Sequence, residues 1–109
     1  MKRFCLALDL KDDPDLIAKY LAYHKNVSAT IKDSITNAGI AVMDIYCTGN
    51  RLFMIMETTL DFDFNKKAAM DAANEKVQEW EALVGQFQQA LPWAKPGEKW
   101  VLMEQVFQL

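Results

Sequence analysis

The sequence predicts a mixed α+β fold in which two helices cover one face of a four-stranded antiparallel sheet, in the order β-α-β-β-α-β. Two observations lead to this prediction. Stretches that alternate apolar with polar residues, as strands do, flank stretches whose apolar residues recur every three or four positions, as in helices. A glycine-containing turn joins the two central strands directly, which makes that pair antiparallel. With 109 residues the chain can form one core, so we expect a single domain over residues 1–109.

The first strand and the first helix follow from local patterns. Residues 3–10 alternate large apolar side chains with small or polar ones, which is the period of a strand. Asp13 and Pro14 indicate a helix start, because aspartate is a preferred N-cap and proline suits the first helical position. Apolar residues then recur at spacings of three and four from Ile17 to Ile35. This pattern predicts one long helix, ended by Gly39 as its C-cap.

The two central strands are predicted at residues 40–47 and 51–58, joined by the turn Thr48-Gly49-Asn50. Both strands carry apolar side chains on both faces, so each face needs a cover. The helices of the chain can cover only one of these faces. The other face therefore predicts a homodimer that packs sheet on sheet.

The second half of the chain repeats the alternation of helix and strand. Residues 64–70 are typical of a short helix, and Asn74 can cap a longer one. Apolar residues at helical spacing continue from Val77 to Leu91, where Pro92 stops the pattern. A last strand is predicted from Trp100 to Phe107. The resulting order is that of a ferredoxin-like fold.

Composition excludes several classes of function. The net charge of −3 argues against a nucleic acid or an anionic membrane surface as the main partner. The longest apolar run, Leu52 to Met56, is far shorter than the roughly 20 residues of a membrane span. One histidine and two separated cysteines do not make a metal site, and the glycines form no phosphate-binding loop, so we expect no metal and no cofactor. Free thiols at Cys5 and Cys47, with no leader-like segment, indicate a cytoplasmic protein.

His24 is the most informative single residue, because it is the one histidine and follows Tyr20 by one helical turn. An imidazole can serve as a general acid or base near neutral pH. The alternative is a hydrogen-bonded histidine of the core or its rim. Trp80 has a similar pair of interpretations, since it lies on the apolar stripe of the second long helix. It is either a core aromatic or a platform for the apolar face of a sugar ring.

Four short motifs together resemble the L-rhamnose mutarotase family. They are Tyr20-x-x-x-His24, Asn50-Arg51-Leu52-Phe53, Val77-Gln78-Glu79-Trp80 and Val106-Phe107. Their order and spacing are similar to the family over essentially the whole chain. The resemblance implies a homodimeric α/β-barrel and a cofactor-free isomerase. It also implies a substrate: the enzyme would interconvert the α and β anomers of a 6-deoxy-L-hexose such as L-rhamnose or L-fucose.

The resemblance also implies residue roles. His24 is the expected catalytic proton donor, and Tyr20 and Trp80 are expected to bind the sugar. Two aromatic residues of the family pattern are replaced, because Glu81 stands in place of a second tryptophan and Met43 in place of a strand tyrosine. We expect both to line the sugar site and to change which hydroxyls are recognised. L-rhamnose and L-fucose are therefore equal candidates.

Some alternatives stay open at this point. The base that works with His24 is either a carboxylate, with Asp44 and Glu57 as candidates, or water. After the histidine, Ser28-Ala29-Thr30 stands where the family usually has Trp-Pro-Glu. This change and Glu81 suggest a non-catalytic sugar-binding module as one alternative function. Another enzyme on the same scaffold, a cofactor-independent monooxygenase or a haem-related protein, is a further alternative, because fold does not fix function.

Overall fold

The computed structural model describes all residues from 1 to 109 and contains five strands and four helices. The strands are β1 (Lys2–Leu10), β2 (Ile40–Thr48), β3 (Arg51–Thr58), β4 (Gln88–Gln89) and β5 (Val101–Leu102). The helices are α1 (Pro14–Tyr23), α2 (Ala29–Asn37), α3 (Phe64–Ala72) and α4 (Glu75–Gly85). None of these helices has the length and hydrophobicity that crossing a membrane requires.

The strands form one antiparallel sheet in the order β2-β3-β1, and both β4 and β5 pair with the free edge of β1. The expected fourth strand is therefore divided into two short pieces along one edge. The sheet stays open at β2 and does not close on itself. The predicted mixed α+β, ferredoxin-like architecture is confirmed.

The hairpin between β2 and β3 forms as predicted. Thr48 pairs with Arg51, which leaves Gly49 and Asn50 as a two-residue loop. Gly49 has a φ of 56°, in the left-handed region that such tight hairpin turns require and that glycine adopts without a steric penalty.

The two faces of the sheet have different environments. The helices cover the face that carries Leu6, Leu8, Leu10, Leu52, Met54 and Met56, all of them buried. The opposite face, which we call the outer face, carries the following side chains of the three long strands: Cys5, Ala7, Asp9, Val42, Asp44, Tyr46, Arg51, Phe53, Ile55 and Glu57. Most of these are half-buried or exposed, and Tyr46 is 57% exposed. The single chain therefore lacks a cover for this face.

The core between the sheet and the helices consists of two apolar clusters. The first contains Leu6, Ile40, Met54, Met56 and Phe62. The second contains Leu10, Tyr20, Leu52, Val84 and Phe87. Trp100 packs against both clusters and connects them.

The predicted long helix is wrong, because the chain forms two helices with a break at residues 24–28. His24 is the C-cap of α1, and Ser28 is the N-cap of α2, where its hydroxyl accepts a hydrogen bond from the Ile31 amide at 3.4 Å. Serine favours such cap positions over helix interiors because its hydroxyl competes for backbone groups. The apolar spacing continues across the break, because the second helix buries Ile31 as the first buries Tyr20.

The C-terminal elements are also shorter than predicted. Helix α4 ends at Gly85 instead of Leu91, because Gln88 and Gln89 leave the helix and pair with β1. Phe87 and Leu91 are nevertheless buried. The apolar spacing therefore identifies buried residues beyond the end of the helix. The last strand comprises only Val101–Leu102, and the residues after it are largely exposed.

The acidic residue within β1 is neutralised by an ion pair. Asp9 is 5% exposed and receives two hydrogen bonds from the Arg51 guanidinium, from Nε at 2.7 Å and from the terminal nitrogen at 3.1 Å. Trp93 lies against the same guanidinium, with the Arg51 Cζ 5.2 Å from its ring centroid. A buried carboxylate is tolerated when it is paired and hydrogen-bonded in this way.

Candidate active site

Helix α1 brings Tyr20 and His24 together. The helix is fixed at its start by Asp13, whose carboxylate accepts hydrogen bonds from the amides of Asp15 and Leu16. Residues four positions apart share a helix face, and the centroids of the Tyr20 and His24 rings lie 4.4 Å apart at an interplanar angle of 34°. The contact predicted from the spacing is confirmed.

The hydrogen bond of His24 shows which of its ring nitrogens carries a proton. Nδ1 lies 2.9 Å from the backbone carbonyl oxygen of Tyr20. A carbonyl oxygen can only accept, so Nδ1 carries a proton and donates it. The other ring nitrogen, Nε2, is then the atom that can take up or release a proton. His24 is half-buried, so its ring is neither sealed in the core nor fully solvated.

Helix α4 supplies the third aromatic ring. Asn74 caps this helix by accepting from the amides of Lys76 and Val77, as the sequence predicts. Trp80 is half-buried, and its ring meets the His24 ring edge to face with 5.2 Å between centroids. We call the three rings of Tyr20, His24 and Trp80 the aromatic site. The imidazole lies in contact with both larger rings.

Tyr20 forms the buried wall of the aromatic site. It is 2% exposed and packs edge to face with Phe87, with 6.4 Å between ring centroids. Burial raises the pKa of the Tyr20 hydroxyl above its ordinary value. The phenol is therefore neutral at physiological pH.

The structure does not bring the other two expected sugar-binding residues into contact with this group. Met43 is half-buried and packs against the first core cluster, which does not contain Tyr20. Glu81 is exposed on α4, and its carboxylate accepts a hydrogen bond from the Gln78 amide at 3.4 Å. It follows Trp80 directly and therefore points away from it around the helix.

The two carboxylates considered as the base lie on the wrong face of the sheet. Asp44 is paired with Ile55 in the register of the outer face, and Glu57 is paired with Arg3 and accepts a hydrogen bond from it at 3.3 Å. The aromatic site lies on the helix-covered face. Within one chain, neither carboxylate can face His24, and that part of the expectation is wrong.

Two surface depressions lie apart from the aromatic site. One of about 320 Å³ lies against the outer face and is lined by Ala7, Tyr46, Phe53 and Met103 among others. Another of about 600 Å³ lies between α1 and the end of α4, beside Tyr23 and Phe87. No group of three or more histidine, cysteine, aspartate or glutamate side chains is placed to hold a metal ion.

Comparison with known proteins connects this geometry to a family. The family model described as L-rhamnose mutarotase matches residues 3–109. An L-fucose mutarotase of Xanthomonas campestris pv. campestris is 44% identical over 111 aligned residues, which cover 100% of this chain and 89% of that protein. A UPF0734 protein of Dictyostelium discoideum is 36% identical, with 99% of this chain and 90% of that protein covered.

Solved structures show the same fold at low identity. The crystal structure of an L-rhamnose mutarotase from Formosa agariphila has a TM-score of 0.73 at 19% identity, covering 100% of this chain and 99% of that one. Tetracenomycin F2 cyclase from Streptomyces glaucescens has a TM-score of 0.61 at 15% identity, with 100% and 99% covered. The structural likeness supports the architecture, and the sequence matches decide the family. The chain belongs to the L-rhamnose mutarotase family and is a carbohydrate isomerase.

Proposed function

We propose that this protein interconverts the α and β anomers of a 6-deoxy-L-hexose, L-fucose or L-rhamnose, with His24 as the general acid–base catalyst. The observation that carries the proposal is the position of His24 against Tyr20 and Trp80, with Nδ1 fixed and Nε2 available. The L-fucose mutarotase that is 44% identical over the whole chain supports a sugar of this class.

In the proposed reaction, the catalytic groups only donate and accept protons while the sugar ring opens and closes. Protonated Nε2 of His24 donates its proton to the ring oxygen of the sugar while a water molecule takes the proton of the anomeric hydroxyl. The bond between the anomeric carbon and the ring oxygen breaks, which leaves an open-chain aldehyde. Rotation of the aldehyde and the reverse transfers then close the ring on its other face. An imidazole suits both directions, because both of its protonation states are accessible near neutral pH.

The aromatic site also accounts for sugar binding. Trp80 is half-buried and can stack on the apolar C–H face of a pyranose ring. Tyr20 is only 2% exposed. We therefore propose that it supports the His24 ring from the core side and contacts the sugar only with the exposed edge of its own ring. Exposed Glu81 and half-buried Met43 are proposed to act at the rim of the site, where they would affect the choice between L-fucose and L-rhamnose.

The function is tested by exchange between the anomeric protons, measured by NMR magnetisation transfer with L-fucose and L-rhamnose side by side. We expect the protein to accelerate exchange for at least one of these sugars. His24→Ala is expected to lower the acceleration by roughly 10²- to 10⁴-fold, which is the usual contribution of a general acid–base group.

Lys25→Ala is the matched control, because Lys25 is the exposed neighbour of His24 outside the aromatic site. Anomer exchange of each sugar is expected to be as fast with Lys25→Ala as with the wild-type protein. Full activity in a folded His24→Ala protein would remove His24 from the catalytic role. Sugar binding by the wild-type protein without faster exchange would instead support the non-catalytic sugar-binding module.

We also propose that the protein is a homodimer that closes its outer faces against each other in the cytoplasm. The support is the half-buried apolar surface of the outer face, together with exposed apolar residues after β5 such as Val106 and Phe107, which are 90% and 77% exposed. A two-fold axis can bring such a surface on one chain against the same surface of a second copy. Cys5 and Cys47 lie on opposite faces of the sheet and are both free, as suits a reducing compartment.

A further inference from the structure

A groove of about 600 Å³ lies between α1 and the C-terminal end of α4. Its lining includes Lys19, Ala22 and Tyr23 from α1, with Gln86 and Phe87 from the end of α4, and we call it the helix groove. Both helices lie on the opposite side of the sheet from the outer face. A dimer that forms through the outer face therefore leaves the helix groove open to solvent.

The helix groove is separate from the aromatic site and includes none of its three rings, yet the two regions are in contact. Phe87 lines the groove and packs edge to face against Tyr20, with 6.4 Å between ring centroids. Tyr20 in turn contacts the His24 ring, with 4.4 Å between centroids. Tyr23, which also lines the groove, directly precedes His24 in the chain. The helix groove therefore adjoins the proposed catalytic imidazole.

The lining of the helix groove combines aromatic rings with polar groups. The rings of Tyr23 and Phe87 lie 5.9 Å apart between centroids at an angle of 42°, and Tyr23 is 42% exposed. Lys19 and Gln86 are exposed at the same groove and bring an ammonium group and a side-chain amide. Aromatic faces pack against the C–H face of a pyranose, whereas ammonium and amide groups donate hydrogen bonds to its hydroxyls. This combination fits a saccharide better than a purely apolar ligand.

We propose that the helix groove is a second sugar subsite, which holds the neighbouring unit of a short saccharide while its reducing-end 6-deoxy-L-hexose undergoes anomer exchange in the aromatic site. This inference rests on the proposed function. The ring oxygen and the anomeric hydroxyl, where protons are transferred, lie at one end of a pyranose. The hydroxyls at C3 and C4 lie at the other end, so a sugar attached there does not displace the imidazole. The substrate class then includes reducing disaccharides as well as free sugars.

The test compares L-rhamnose and L-fucose with disaccharides that carry glucose on O4 of the same two sugars. We expect the wild-type protein to exchange the anomers of at least one disaccharide, with a KM below that of the corresponding free sugar. Ala22→Trp fills the helix groove with an indole, because Ala22 is an exposed residue of its lining. This variant is expected to raise KM for the disaccharide about tenfold relative to KM for the free sugar, since the second unit meets a steric clash.

Ala18→Trp is the matched control, because Ala18 is exposed one turn before Ala22 on the same helix and does not line the groove. It is expected to keep the ratio of the two KM values at the wild-type level. The inference is overturned if Ala22→Trp and Ala18→Trp give the same ratio. It is also overturned if the wild-type protein exchanges the free sugar but not the disaccharide.

A binding measurement distinguishes failure of the second subsite from failure of the proposed function. Saturation-transfer NMR detects contact between the protein and the glucose unit of the disaccharide, whether or not anomer exchange takes place. If the wild-type protein exchanges neither the free sugars nor the disaccharides, the proposed function is wrong. Saturation of the glucose unit that Ala22→Trp abolishes and Ala18→Trp retains would still support a saccharide subsite in the groove, and its absence in the wild-type protein would overturn that subsite as well.

Discussion

At the scale of single residues, burial of Tyr20 links the stability of the fold to alkaline pH. The pKa of Tyr20 is raised by burial from an ordinary value of 10.0, so the folded chain keeps its proton where the unfolded chain loses it. The unfolded state then gains from ionisation, and the folded state does not. We expect the free energy of unfolding to fall above pH 10 by up to about 1.4 kcal/mol per pH unit, until the pH reaches the raised pKa.

The contribution of Tyr20 can be isolated with Tyr20→Phe, which keeps the ring and removes the titrating hydroxyl. Denaturant unfolding of both proteins at pH 8 and at several values above 10 gives the two pH profiles. Above pH 10, the free energy of unfolding of the wild-type protein is expected to fall more steeply with pH than that of Tyr20→Phe. Parallel profiles would show that ionisation of Tyr20 does not couple to unfolding.

Residue spacing explains how much of the candidate site the sequence predicts. The contact between Tyr20 and His24 follows from a separation of four in one helix, and the structure confirms it. The contact between His24 and Trp80 depends on how α4 packs beside the end of α1, which local patterns do not specify. The end of α4 at Gly85 could not be predicted from the spacing, because Phe87 continues the apolar pattern beyond the helix.

At the scale of elements, the N-cap of α4 connects local sequence to the site, because this helix carries Trp80. The Asn74 side chain accepts from the amides of Lys76 and Val77 at 3.1 and 3.3 Å. Asn74→Ala leaves these amides without their partner and is expected to lower the free energy of unfolding by about 1 kcal/mol. Chemical denaturation measures the change.

Asn74→Ser is the control for this prediction, since serine is an equally good N-cap and is expected to cost little. Equal losses for alanine and serine would indicate that Asn74 acts through packing and not through capping. Anomer exchange per folded molecule is expected to stay unchanged in both variants, because Asn74 lies nearly two turns before Trp80.

Caps and turns were the elements that the sequence predicted best. Asp13, Asn74 and the Gly49 turn lie where local chemistry placed them, because each depends on backbone groups close in sequence. The prediction of a single long helix is wrong because apolar spacing indicates which side chains are buried, but not whether the helix between them is continuous. Ser28 was the signal for the break, and it was present in the sequence.

At the scale of the whole molecule, the open outer face is the feature that a single chain does not explain. Alternating burial in β3 shows that its even-numbered residues pack under helices, whereas Phe53, Ile55 and Glu57 keep partial exposure. Tyr46 and Phe53 lie together on this face with 6.5 Å between ring centroids, beside the depression of about 320 Å³. Interfaces between subunits favour aromatic residues of this kind at their centres.

A charge on this face is therefore expected to separate the subunits. Tyr46→Lys would replace an aromatic ring on the outer face of each subunit by an ammonium group, which would lose hydration when the two faces close on each other. Sedimentation velocity should show a dimer for the wild-type protein and a monomer for Tyr46→Lys at the same concentration. Met70→Lys is the matched control, because Met70 is a partly exposed apolar residue of α3 in the helix layer, and it should remain dimeric. If the wild-type protein sediments as a monomer, the outer face has some other cover and the proposed dimer is wrong. If Tyr46→Lys stays dimeric, the subunits meet through another surface.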